Sequence, residues 1–186
     1  KSPQGQEGGT SAQALRMNRY YAFHSRIYDM TRWSFLFGRA ALPEIAGKHI
    51  EPKNILEVGC GTGKNLLNFA GRFRDATVAG LDVSADMIEI AEKKSKKNGR
   101  KITFIKGLYD QPLSKKGQKF DLILFSYCLS MINPGWENAL ECAKEDLLNN
   151  GLIVVADFNK TMHPWFAGWM AANHVQMRGL LPEKLG

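Results

Sequence analysis

The run Ile55-Leu56-Glu57-Val58-Gly59-Cys60-Gly61-Thr62-Gly63 carries an apolar stretch into one acid and then into three alternating glycines. Nothing else in the chain constrains its fold so tightly. Alternating glycines permit left-handed turns and let a ligand approach main-chain N–H groups with no Cβ in the way. The segment therefore reads as a ligand-binding loop at the carboxyl end of a first β-strand, with a helix opening behind it.

Spacing narrows the ligand. A phosphate-cradling P-loop needs a glycine five positions before the Gly63-Lys64 pair and a Ser or Thr after it, but Val58 and Asn65 stand there. A dinucleotide loop needs a third glycine where Lys64 stands, so close helix packing under a pyrophosphate is not provided for. NAD or FAD is a weak second choice. The acid just before the turn instead welcomes a cationic amine and repels a phosphate. Taken alone, Glu57 also reads as the partner of a basic neighbour in a salt bridge.

Further along, Thr77-Val78-Ala79-Gly80-Leu81 ends at Asp82, about where a Rossmann-like fold places its ribose-binding acid. Read in isolation, Asp82 also suits a helix N-cap. The alternation continues with a helix over 85–97, a strand over 102–106, a strand over 120–126, a helix over 135–148 and a strand over 152–157. Strand-helix alternation of this kind predicts an α/β fold with a doubly wound parallel sheet. In such a sheet the ligand crevice lies at the carboxyl ends of the strands, which selects Gly59, Asp82, Gly107, Ser126 and Tyr127.

Taken together, Glu57-x-Gly59-x-Gly61-x-Gly63 and Asp82-Val83-Ser84-Ala85-Asp86-Met87 resemble the first two motifs of class I S-adenosylmethionine (SAM)-dependent methyltransferases. The resemblance implies SAM as cofactor. Glu57, Gly59, Cys60, Gly61, Thr62, Gly63 and Asn65 would then form its loop, Asp82 would accept from the ribose hydroxyls, and Val83 and Met87 would flank the adenine. The family often follows its third strand with Gly-Asp. Here Gly107 is followed by Leu108 and Tyr109, so Leu108 backbone or the later Asp110 would serve the adenine. The stretch 120–127 resembles the family's fourth strand, whose end, here Ser126 and Tyr127, passes under the methionine part of SAM.

The same resemblance implies two more strands forming an antiparallel edge. The sequence ends after five strands and one further helical region, so either the member is short or the sequence is a fragment. We expect a polar, Gly-rich tail over 1–12 and a single domain over 13–186. Within it, 13–50 forms a helical lid, 51–160 the cofactor core and 161–186 a C-terminal helical region.

Substrate information sits in the flanks. Residues 20–39 are aromatic and basic at once, and Tyr or Arg side chains of such a lid can hold the methionine carboxylate. Its Tyr-Asp-x-Thr-Arg and Leu-x-Gly-Arg patterns, with Trp165-Phe166-x-x-Trp169-Met170-x-x-Asn173-His174-Val175 later on, resemble bacterial lipid N-methyltransferases of the betaine-lipid type. This implies an amine or polar head group of a small or lipid-like acceptor. His24, Tyr28 and His174, with His163, are the candidate bases or orienting groups, and Asp157 is a candidate for holding a substrate ammonium. The bland alternative for the aromatics is packing of the lid on the sheet.

Composition agrees with these expectations. At 186 residues and 44% hydrophobic content, one sizeable core can be buried. The three cysteines lack metal or disulfide spacing, so we expect no metal, a cytoplasmic location and small buried thiols. A net charge of +7, with Arg26, Arg32 and Arg39 among aromatics, favours an anionic membrane surface, so the inner membrane face is a second location. Nucleic acid is disfavoured, because the paired-proline motif of base amino methylation is absent where Ser126-Tyr127-Cys128-Leu129 stands. Two further readings stay open: a non-catalytic SAM-binding module or partner subunit, and an RNA methyltransferase.

Overall fold

The structure is a computed structural model and describes residues 38–132 and 135–157. Its elements run α1 (Leu42–Gly47), β1 (Asn54–Val58), α2 (Lys64–Arg72), β2 (Thr77–Asp82), α3 (Ala85–Lys97), β3 (Ile102–Lys106), β4 (Phe120–Ser126), α4 (Trp136–Asp146) and β5 (Leu147–Ala156). Short 3-10 turns cover Arg39–Ala41, Leu113–Lys116 and Leu129–Met131. The five strands form one wholly parallel sheet in the order β3-β2-β1-β4-β5. The predicted Rossmann-like, doubly wound architecture is thus the observed one.

Alternation along each strand sorts the core into two layers. Ile55, Val78, Leu122 and Leu124 pack with Leu66 and Phe69 of α2, Ile88 of α3 and Leu42 and Ala46 of α1. Leu56, Val58, Leu81, Ile123 and Phe125 pack on the opposite face with Ala139, Leu140 and Ala143 of α4 and with Tyr109 and Leu113. The strand order reverses between β1 and β4, the point at which a sheet of this kind presents its ligand crevice, beyond the carboxyl ends of the strands. At the other end of the sheet, Asp121 of β4 accepts from the Lys53 and Asn54 N–H groups at 2.7 and 2.9 Å, fixing where β1 starts.

Local signals explain most element ends. Ser84 caps α3, its hydroxyl accepting from Met87 N, and three lysines in the last turn complement the helix dipole. Gly80 on β2 lies directly under α2: a Cβ there would fall 2.8 Å from Cys60 Sγ and collide with Leu66.

The junction of α4 and β5 differs from expectation. The helix expected over 135–148 spans Trp136–Asp146, and β5 starts at Leu147 rather than at 152. Leu147 leaves the helix in an extended conformation and pairs with Phe120, whereas the next ladder partner, Leu122, meets Leu152. The intervening excursion turns at Asn150, with φ 66°, before regular pairing resumes.

Of the segment expected as a lid, only its last part is described. There α1 buries Leu42, Pro43 and Ala46, and Glu44 pairs with Arg72 of α2 at 3.1 Å. No described helix is long and apolar enough to cross a membrane.

Candidate functional site

The crevice floor is the loop after β1. Gly59, Gly61 and Gly63 all take positive φ, at 67°, 52° and 74°. Gly59 and Cys60 donate to Leu81 O at 2.8 and 3.0 Å, and Gly61 N donates to Asp82 Oδ2 at 2.8 Å, so the loop is laced to the end of β2. A Cβ on Gly59 would meet Cys128 Cβ at 2.7 Å, while nothing lies within 4 Å of one on Gly61 or Gly107. The first glycine thus serves close packing, and the other two face open space.

Asp82 is buried at the end of β2, and its Oδ1 accepts from Ser84 N at 2.9 Å. The cap of α3 is therefore Ser84, and Asp82 is free of that role. Burial pushes its carboxyl above the ordinary range, opposed by its backbone hydrogen bonds. Each oxygen keeps a second lone pair for a hydroxyl donor.

Glu57 is fully buried on β1, paired in register with Leu124 and facing α2. Its Oε1 accepts from Asn65 Nδ2 at 2.8 Å, and its Oε2 has no partner. Burial raises its carboxyl to about 7; the Arg39 cation and the Asn65 bond pull the other way. Asn65, itself fully buried, accepts on Oδ1 from Arg39 Nε at 3.1 Å. Glu57 is thus bonded to a cation through an amide rather than directly.

Ser126, ending β4 on the same sheet face as Leu124, is buried with its hydroxyl also unpartnered. Tyr127 then turns at φ 56°, a left-handed conformation costing a tyrosine on the order of 1 kcal/mol, held by Tyr127 N donating to Ala156 O at 2.6 Å. Backbone strain of this kind gathers where a ligand must be met.

Other predicted residues fall around this centre. Thr62 is buried in the loop, Val83 is partly buried, and Met87 is buried in the first turn of α3. Gly107 N donates to Asp82 O at 3.0 Å, and Leu108 beside it is 40% exposed. Asp110 offers its backbone carbonyl to Asn138. Asp157 is committed elsewhere: its carboxylate accepts from Ser130 N at 3.0 Å and Ser130 Oγ at 2.7 Å, which fixes the turn after β4. The three cysteines are free and buried, and burial pushes all three thiols up. Among the described residues no cluster of His, Cys, Asp and Glu could hold a metal. His24, Tyr28, His163 and His174, with Trp165 and Trp169, lie outside the described residues.

The donor set suits a zwitterionic nucleoside. A bare buried carboxylate oxygen accepts an ammonium, a guanidinium takes a carboxylate, an acid at the end of β2 takes a diol, and exposed Leu108 offers an apolar face to a base. Sequence reasoning placed Arg39 only within a lid, and the Arg39–Asn65 bond joins residues 26 apart. An Asn in the first turn of the helix behind the glycine loop was the available signal.

Comparison with known proteins agrees. A family model described as a methyltransferase domain matches residues 55–151, more than half of the chain. The ubiquinone biosynthesis O-methyltransferase of Pasteurella multocida (strain Pm70) is 29% identical over 134 residues, covering 66% of this chain and 53% of that protein. The carboxy-S-adenosyl-L-methionine synthase of Campylobacter curvus (strain 525.92) is 33% identical over 113 residues, covering 60% of this chain and 47% of that protein. The crystal structure of Streptomyces venezuelae DesVI superposes with a TM-score of 0.60 at 25% identity, over 73% of this chain and 57% of that one. The chain spans about half the length of the curated relatives it matches. On its fold, its loop and these matches, the chain belongs to the methyltransferase-domain family of class I proteins, whose cofactor is S-adenosylmethionine.

Proposed function

We propose that the protein transfers a methyl group from SAM to an amine or polar head group of a small or lipid-like acceptor. One observation carries the cofactor half of this reading. Among the described residues, two buried side-chain polar atoms have no partner, Glu57 Oε2 and Ser126 Oγ, and both belong to the adjacent central strands β1 and β4, on one sheet face beside the glycine loop. Buried polar atoms are rarely left unpaired, so two beside the loop support a ligand whose atoms complete the bonding there.

In this reading Glu57 faces the cofactor's ammonium and Arg39 its carboxylate. Asp82 accepts from the ribose hydroxyls. Val83, Met87, Gly107 and Leu108 border the adenine, the main chain of residues 59–63 forms the floor, and Ser126 and Tyr127 lie under the methionine part. Cys60 and Thr62 contribute backbone and packing.

When bound, the cofactor supplies an electrophilic methyl on a sulfonium. The chain then has two tasks: to align the acceptor in line with that methyl and to keep water out. The acceptor must also lose a proton, for which His24, Tyr28 and His174 remain the proposed groups. The aromatic and basic flank, with a net charge of +7, supports a lipid-like acceptor met at an anionic membrane surface from the cytoplasmic side. A hydroxyl is the second reading, favoured by the name of the P. multocida relative, an O-methyltransferase.

The test is incubation with SAM carrying a deuterated methyl, together with amine-headed lipids, small amines and phenols, followed by mass spectrometry. Label on nitrogen supports the proposal, and label on oxygen alone moves the acceptor to a hydroxyl. SAM binding with no transfer to any acceptor would reduce the protein to a binding module.

A further inference from the structure

We propose that Asn65 is a positioning residue that holds Arg39 and Glu57 as one dipolar clamp for the amino-acid end of the cofactor, and so makes the site selective for a zwitterion over a bare nucleoside. The proposal rests on the reading that SAM occupies the crevice.

An amide has one accepting and one donating end, and both ends of Asn65 are used inside the protein. Its Oδ1 takes Arg39 Nε at 3.1 Å, and its Nδ2 gives to Glu57 Oε1 at 2.8 Å. With both ends bonded inside the protein, Asn65 has no unpartnered polar end to offer a ligand, unlike Glu57 with its bare Oε2. Its effect must pass through its two neighbours.

The bonds also settle which atoms those neighbours present. Glu57 is held by one oxygen, which leaves Oε2 bare. Arg39 is held by Nε, which leaves the planar pair of Nη groups, the geometry that grips a carboxylate bidentately. An anionic edge and a cationic fork are thus fixed at one amide's spacing. An α-amino acid carries its ammonium and carboxylate on a single carbon, so a rigid spacing of this size matches it.

The anchoring is itself preorganised. Asn65 lies in the first turn of α2, directly after the left-handed Gly63, and the backbone of Leu66 also supports Glu57. Arg39 by contrast opens a short 3-10 turn after Gly38, whose φ is 81°. Asn65 therefore ties a lightly held cation to the rigid floor of the site.

Two ligands separate this role from general support of the fold. S-adenosylhomocysteine carries the amino-acid end, and 5′-methylthioadenosine has the same nucleoside without it. Calorimetry on the full chain would compare them for the wild type, Asn65→Leu, Asn65→Asp and Arg39→Met, with thermal unfolding run alongside. Removing a bond to a charged group costs about 10- to 100-fold in affinity. Asn65→Leu and Arg39→Met should each weaken S-adenosylhomocysteine by that factor and leave methylthioadenosine within about twofold. Asn65→Asp keeps the shape and the acceptor for Arg39 but sets a carboxylate against Glu57. It should lose S-adenosylhomocysteine affinity at least as severely.

Equal weakening of both ligands would overturn the clamp in favour of a merely structural Asn65, as would unchanged S-adenosylhomocysteine affinity in folded Asn65→Asp. If the wild type binds neither ligand, the cofactor reading fails and the clamp with it.

Discussion

Glu57 and Asp146 are both fully buried carboxylates, and the protein treats them in opposite ways. Asp146, at the end of α4, accepts from Tyr109 Oη and Leu113 N at 2.8 Å on one oxygen and from Ser114 N at 2.7 Å on the other. It pins the 113–116 turn to the helix, and it also holds the Tyr109 phenol above its ordinary range, second to burial as a cause. Glu57, at the crevice, has one side-chain donor and one bare oxygen. A carboxylate surrounded by donors is a structural tie, whereas one left half bare in the interior costs stability unless a ligand completes it.

The clearest loss of stability is expected from the satisfied member. Asp146→Asn turns one end of the side chain into a donor facing existing donors, so we expect a loss of about 2–3 kcal/mol in urea unfolding. S-adenosylhomocysteine affinity of the folded protein should be unchanged. A variant of normal stability that fails to bind would erase the contrast between the two carboxylates.

Glu57→Gln should do the reverse. The folded carboxyl titrates near 7 against an ordinary value of 4.5, so the folded state holds its proton more tightly than the unfolded chain. Stability therefore falls as pH rises between those values, and the penalty is full above about 7, on the order of 3 kcal/mol. The ligand-free Gln variant should accordingly be more stable than wild type at pH 8 and nearly equal at pH 4. Its S-adenosylhomocysteine affinity should drop about 10- to 100-fold. Thermal melts at the two pH values check the first claim; a pH-independent difference between variant and wild type would contradict it.

Wild-type affinity should also depend on pH. If an ammonium sits against Glu57, binding requires the ionised form, so affinity should fall by up to about tenfold per unit as pH drops below 7. Asp82, whose carboxyl burial also raises, acts in the same direction. The smallest effect belongs to Ser126→Ala. Deleting an unpartnered hydroxyl should alter stability by less than about 1 kcal/mol and weaken S-adenosylhomocysteine by about two- to fivefold. A large stability loss there would show that the hydroxyl already has a partner in the free protein.

The contrast also explains what could be read from the sequence. Strand and helix ends that depend on neighbours in the chain were legible: 102–106, 120–126 and 85–97 match β3, β4 and α3 residue for residue. The glycine loop and Asp82 were legible too, because spacing along the chain is what places them at adjoining strand ends. The start of β5 was missed because pairing with Phe120, across the sheet, drew Leu147 out of the helix. The Arg39–Asn65 bond and the left-handed Tyr127 were equally invisible, since each is fixed by a residue remote in sequence. Asp157 looked available at a strand end, yet it is taken by a turn that follows a different strand.

The most direct test of the central claim, that the crevice beyond β1, β2 and β4 is a SAM site, is calorimetric titration of the chain with SAM and S-adenosylhomocysteine beside Asp82→Ala. We predict saturable one-site binding of both ligands by the wild type, abolished in a variant that remains folded by circular dichroism. A folded wild-type protein that takes up neither ligand, or an Asp82→Ala variant that binds as well as wild type, would contradict the account.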